Sequence, residues 1–224
     1  DADKAIAIQQ AAVEVADGLH DNQFPLDVFQ TGSGTSTNMN ANEVIASLVK
    51  RHSNDKINVH ANDHVNMGQS SNDVIPTSIQ VSCCIGVYYH LLPAANHLIN
   101  ALTQKSKEVG HICKTGRTHL MDAIPITFAQ TLDSWKSQIE NAIAGINTSL
   151  EQVKPLAQGG TAVGTGINAD PQFAGKFASN LSASVGISFK PSENFFYNIG
   201  SQDAIVALSG QLKTLAVAII KIAN

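Results

Sequence analysis

Charge is scarce in this chain. Asp, Glu, Lys and Arg make up 14% of its 224 residues, well below the roughly 25% of average soluble proteins. No run of Lys or Arg occurs, and the net charge is −4 with a pI near 6.0. That excludes the basic excess of a nucleic-acid binder. Cysteine is nearly absent. Cys83, Cys84 and Cys113 are odd in number and two are adjacent, which excludes a disulfide framework and a CxxC metal knuckle. They are expected to pack as small apolar residues in a reducing compartment. Cys83 and Cys84 lack a neighbouring His or Asp, and no GxSxG elbow is present, so nucleophilic thiol and elbow-serine chemistry are set aside. There is no convincing strand alternation, no repeat of fixed period and no signal peptide. The most apolar stretch, around residues 81–95, is broken by Ser82, His90 and Pro93 and falls short of a membrane span. The chain starts without Met, already inside a helical pattern, and ends inside one. It is expected to be an excerpt cut at both ends.

What is abundant is Ala, Ile, Val and Leu, within a hydrophobic content of 43%. So much apolar surface with so little charge implies a large oligomeric interface. Ala5, Ile8, Ala12, Val15 and Leu19 recur at three- and four-residue spacing, predicting a helix that ends by Phe24-Pro25. Asn40 with Glu43 three residues on predicts a capping box and a helix to about Arg51. Residues 53–69 read as loop. Asn72 or Asp73 is expected to cap a long buried helix from Val74 to about Lys107, with Pro76 in its first turn and a kink at Pro93. A second long helix is predicted from Ile126 to Val153, a shorter one over 171–184, and a third long one from about Gln202. That last helix carries Ile205, Leu208, Leu212, Leu215, Ile219 and Ile222 at the spacing of a bundle seam. The fold class is all-α, a long-helix bundle.

Four polar segments interrupt this apolar background: TGSGTSTNMN (31–40), HANDHVNMGQSSND (60–73), KTGRTHLMDAIP (114–125) and GGTAVGTGIN (159–168). Together they point to a composite anion-binding pocket at helix ends. In the first, Ser33, Thr35, Ser36 and Thr37 offer hydroxyls just before a helix, which binds a carboxylate or phosphate without a cation. Taken alone, that segment is more readily an ordinary helix cap. It is no dinucleotide fingerprint, because the third Gly and the preceding strand are missing. Ser70, Ser71 and Asn72 supply more donors than one cap needs. His60 and His64, four apart, have the spacing of a zinc pair but no evident third ligand, so no metal is expected. Arg117, Thr118 and His119 lie in a predicted loop. His119 suits proton transfer near neutral pH, whereas Arg117 more readily forms an internal pair. The glycine-rich 159–168 segment lacks the Lys-Ser/Thr ending of a phosphate loop.

The four segments, in this order, resemble the fumarase/aspartase superfamily across essentially the whole chain, and class II fumarases in particular. Fumarases carry SSND and GRTH, as in Ser70 to Asp73 and Gly116 to His119, where aspartases typically carry STND and GRTQ. The resemblance implies an all-α fold whose long helices form a homotetramer core, with active sites shared between subunits. It implies reversible hydration of a small dicarboxylate, fumarate to L-malate, without cofactor or metal. Ser33, Gly34, Thr35, Ser70, Ser71, Asn72 and Thr118 would bind the dicarboxylate, and His119 would act in acid–base chemistry at the hydroxyl through a water. His60, Ala61, Asn62 and Asp63 match a second anion site, although Ala61 stands where Pro is usual, and Ile57 and Asn58 where basic residues often stand. The family's loop carrying the base serine is expected beyond Asn224. Residues 1–55 would close an N-terminal helical domain and 56–224 begin the central bundle. The implied location is cytoplasmic, or the mitochondrial matrix in a eukaryote, with no nucleic-acid or membrane partner. The alternatives are an aspartate ammonia-lyase or related lyase, and a non-catalytic helical oligomerisation core.

Overall fold

The computed structural model describes residues 1–224. Eight α-helices carry the chain: α1 Ala2–Ala16, α2 Thr35–His52, α3 Ser71–Gly86, α4 Leu92–Val109, α5 Phe128–Val153, α6 Phe173–Val185, α7 Phe195–Gly200 and α8 Asp203–Ala223. Strands β1 Cys113–Thr118 and β2 Met121–Thr127 form a hairpin, and β3 Pro155–Leu156 pairs in parallel with β4 Lys190–Pro191. The all-α expectation holds, with the hairpin as its one substantial exception.

The chain divides into two compact units. The first comprises Asp1–Ile79 and Pro155–Ser201. In it α1 lays Ala7, Ile8, Ala11 and Val15 against Leu48 and Val49 of α2 and against Val59, the packing of two amphipathic stripes. Asp1 caps α1 by accepting from the Asp3 amide. Helix α2 begins at Thr35, with Gly34 at its N-cap, five residues before the predicted capping box, so Asn40 and Glu43 lie inside the helix. The hydroxyl residues 35–37 thus form its first turn. The predicted loop over 53–69 contains a π-helical turn, Ala61–Val65, capped by the His60 side chain. The cap of α3 is Ser70. Its hydroxyl accepts from the Asn72 amide at 3.2 Å, and the Asp73 carboxylate accepts from the Ser70 amide at 2.9 Å, a reciprocal box that sets the cap two or three residues earlier than predicted.

The second unit comprises Gln80–Lys154 and Gln202–Asn224. The predicted continuous helix is two helices, α3 and α4, joined by a π-helical turn over Val87–Leu91. Pro93 follows directly in the first turn of α4, and the wide turn absorbs the ladder bond that proline cannot make. Nor is this pair buried all round: Ile79 and Tyr89 are exposed. Helix α5 opens with a Thr127–Gln130 capping box. Its buried row Leu132, Ile139, Ala142, Ile146, Leu150 and Val153 packs against α4 and α8. From α8 come Leu208, Leu215 and Ala218, while Val206, Val217 and Ile220 stay exposed. The helix long and apolar enough to cross a membrane is α8, Asp203–Ala223, and not the 81–95 stretch.

Candidate functional site

Three of the four polar segments belong to the first unit. Gly34 turns the chain into α2 at φ +61°, where a Cβ would meet the Ile75 Cδ1 at 2.7 Å. Only glycine fits both that left-handed backbone and the contact. This approach sets the start of α2 beside the start of α3. A chain of hydroxyls results: Thr31 Oγ1 to Ser33 Oγ at 3.1 Å, Ser33 Oγ to Thr35 Oγ1 at 3.0 Å, and Thr35 Oγ1 to Ser71 Oγ at 3.0 Å. The expected residues Ser33, Gly34, Thr35 and Ser71 are therefore contiguous. With each hydroxyl both donor and acceptor, and two helix N-termini adjoining, the cluster can turn donors toward an anion.

Ser70 and Asn72 occupy the same helix start. The Asn72 Nδ2 donates to the Ala162 carbonyl at 2.8 Å, which ties α3 to the glycine-rich segment. Asp73 does so more firmly. Its side chain is fully buried, and beyond the Ser70 amide it accepts from Gly159 N at 3.0 Å and Thr161 N at 2.8 Å. Burial pushes the Asp73 carboxyl above its ordinary value, opposed by these amide donors. Asp73 was absent from the sequence-predicted binding set. The sequence offered Asp73 only as a possible helix cap, and its partners 86 and 88 residues away left no local trace.

An open cleft of about 530 Å³ lies in this unit, lined by Asn62, Asn66, Gln69, Ser70, Thr161 and Asn168 among others. His60 caps the turn on its own backbone, with Nδ1 3.4 Å from the Asp63 carboxylate. His60 Nδ1 also accepts from the Asp63 amide at 3.3 Å, and His64 Nδ1 accepts from the His60 amide at 2.9 Å. Both δ nitrogens are thus engaged locally, and no group of three or more His, Cys, Asp or Glu is arranged to hold a metal. Asn62 and Asp63 border the cleft, whereas Ala61 brings no polar side chain.

Thr118 and His119 belong to the second unit, and the predicted loop that carries them is the β1–β2 hairpin. Thr118 pairs with Met121, leaving His119 and Leu120 as a two-residue turn with φ of +51° and +61°. Positive φ at both positions is the signature of a type I′ hairpin turn, and neither residue is glycine or asparagine. A bulge falls between Thr115 and Arg117. There Gly116 is required, because a Cβ would come within 2.7 Å of the Ile124 carbonyl. The alternation was illegible because the bulge and Pro125 interrupt it. Arg117 pairs across the ladder with Asp122 at 3.4 Å, the internal pairing expected of it. Cys84 is buried with its thiol pushed up to about 11 by burial and by Cys83, the inert form of cysteine.

Long packed helices with hydroxyl-lined helix starts define a helical-bundle fold equipped to hold a small anion. A family model described as "Lyase" matches residues 2–224, and the chain belongs to this lyase family. It is 52% identical over 217 residues to the class II fumarate hydratase of Xylella fastidiosa strain Temecula1, covering 97% of this chain and 46% of that protein. It is 49% identical over 221 residues to the mitochondrial fumarate hydratase of Saccharomyces cerevisiae, covering 97% and 45%. The crystal structure of class II fumarase from Schistosoma mansoni matches with a TM-score of 0.96 at 40% identity, covering 100% of this chain and 51% of that one. The chain thus spans about half the length of the curated relatives it matches.

Proposed function

We propose that the complete protein catalyses the reversible hydration of fumarate to L-malate. The observation that carries this is the hydroxyl chain Ser33–Thr35–Ser71 at two adjoining helix starts, in a chain whose relatives are fumarate hydratases. Ser33, Gly34, Thr35, Ser70, Ser71, Asn72 and Thr118 bind the dicarboxylate. Removing the C3 proton of malate places negative charge on a carboxylate as an aci-acid, and preorganised N–H and O–H donors stabilise that charge. His119, acting through a water, gives a proton to the departing hydroxyl and takes one back in the hydration direction. The base that removes the C3 proton is a serine outside this chain. No redox cofactor or metal takes part. His60, Asn62 and Asp63 form a second, weaker anion site, to which Ala61 contributes only backbone.

The protein works as a homotetramer with active sites shared between subunits, located in the cytoplasm or, in a eukaryote, the mitochondrial matrix. Support comes from the exposed Val206, Val217 and Ile220 of α8, an apolar face suited to burial against other bundle helices. Residues 1–55 close an N-terminal domain and 56–224 open the central one. The test is loss of fumarate absorbance with the complete protein, with and without ammonium. Hydration without ammonium is expected. Turnover only with ammonium would make it an ammonia-lyase, and none in either condition would favour a structural bundle.

A further inference from the structure

Thr161 carries two unfavourable features at once. Its backbone is left-handed, φ +57°, an outlier for a β-branched residue. Its Oγ1 is buried and has no hydrogen-bond partner within the chain, in a residue only 4% exposed. Glycine would relieve the first and alanine the second. The strain is not slack in the loop, because the Asp73 carboxylate grips the Thr161 amide at 2.8 Å. The residue lines the polar cleft together with Ser70, Asn66, Gln69 and Asn168. A hydroxyl that is buried, unsatisfied and held beside such a cleft is arranged for a partner the chain does not supply.

We propose that Thr161 is a further substrate-binding residue, donating its hydroxyl to a carboxylate oxygen held against Ser70. The inference rests on the dicarboxylate function proposed above. The surroundings favour an anion: Ser70 and Asn66 are neutral donors, and Asp73 is already occupied by three amide donors. Asp63, also on the cleft wall, is exposed, so solvent screens its charge.

The experiment uses the complete protein with Thr161→Ser, Thr161→Ala and Thr161→Gly. It reads KM for fumarate, Kd for the unreactive dicarboxylate succinate, and Tm. The Ala and Gly variants should raise KM and Kd by about tenfold or more, as expected for a lost hydrogen bond to a charged group. The Ser variant should stay close to the parent, and the Gly variant should melt no lower than the parent, because glycine adopts this backbone without strain. Unchanged KM and Kd in the Ala variant would overturn the proposal. So would equal losses in Ser and Ala, which would assign the methyl group a packing role. A parent that binds succinate but does not hydrate fumarate would sink the hydratase function alone, with the Kd series still deciding Thr161. A parent that does neither would sink both.

Discussion

Thr161 and His119 are both non-glycine residues in left-handed backbone, one in each unit, and their surroundings are opposite. Thr161 is buried, with its amide gripped by a carboxylate 88 residues away in sequence. His119 stands exposed at a hairpin tip beside Leu120, which is 99% exposed, and only the strand pairing on either side holds its turn. Strain in the first unit is fixed by tertiary contacts and shapes a cleft inside that unit. Strain in the second presents a histidine outward, where a ligand or another chain can meet it. One backbone is held from within the chain, with only its hydroxyl left unmet, and the other is offered by it.

The largest expected effect tests the outward position. In the complete protein, His119→Asn should lower kcat by about 10²- to 10⁴-fold, the span of general acid–base catalysis, with the Tm little changed. Steady-state rates and a melt decide it, and an unchanged kcat would reduce the tip to a structural turn.

The next tests what fixes the inward position. Asp73→Ala leaves three amides without their acceptor, each costing about 1–3 kcal/mol where water cannot replace it. Thermal unfolding should show a loss of several degrees. Asp73→Asn separates charge from shape. Burial raises the Asp73 pKa above its ordinary 3.8, so the folded state holds this proton more tightly than the unfolded chain. The resulting stabilisation is complete below pH 3.8 and is lost as pH rises through the raised folded value. The parent should therefore lose Tm relative to the Asn variant as pH climbs from acid toward neutrality. A difference running the other way would mean that the amide donors outweigh burial.

The smallest effect sharpens the contrast between the tips. Leu120→Gly removes a left-handed penalty of about 1–2 kcal/mol, partly offset by the greater freedom of the unfolded chain. The Tm should rise by a few degrees at most. A fall would show that the exposed Leu120 side chain packs against something outside the unit.

The helices were legible because each needs only its own periodicity. In α8, Leu208 and Leu215 are buried on the seam where the spacing placed them. The polar segments were legible as composition, since Ser, Thr, Asn and Gly clustered before helices signal donors at helix ends. Boundaries were less so. The start of α2 at Thr35 depends on Gly34 accepting Ile75 against its backbone, and the break between α3 and α4 is a π-turn ahead of Pro93, where the sequence announced only a kink. The hairpin was missed because a bulge and a proline erase its alternation.

By itself the sequence determined the helical class, the order of the polar segments and the identity of the donors, because periodicity and hydrogen-bonding capacity are properties of residues close together in the chain. Only the tertiary structure decided that Ser33, Thr35 and Ser71 share one hydroxyl chain, that Asp73 clamps the 159–161 backbone, and that Thr161 is left buried with a free hydroxyl. Those facts are distances between residues tens of positions apart. Such distances are set by how whole helices pack, which no local spacing encodes.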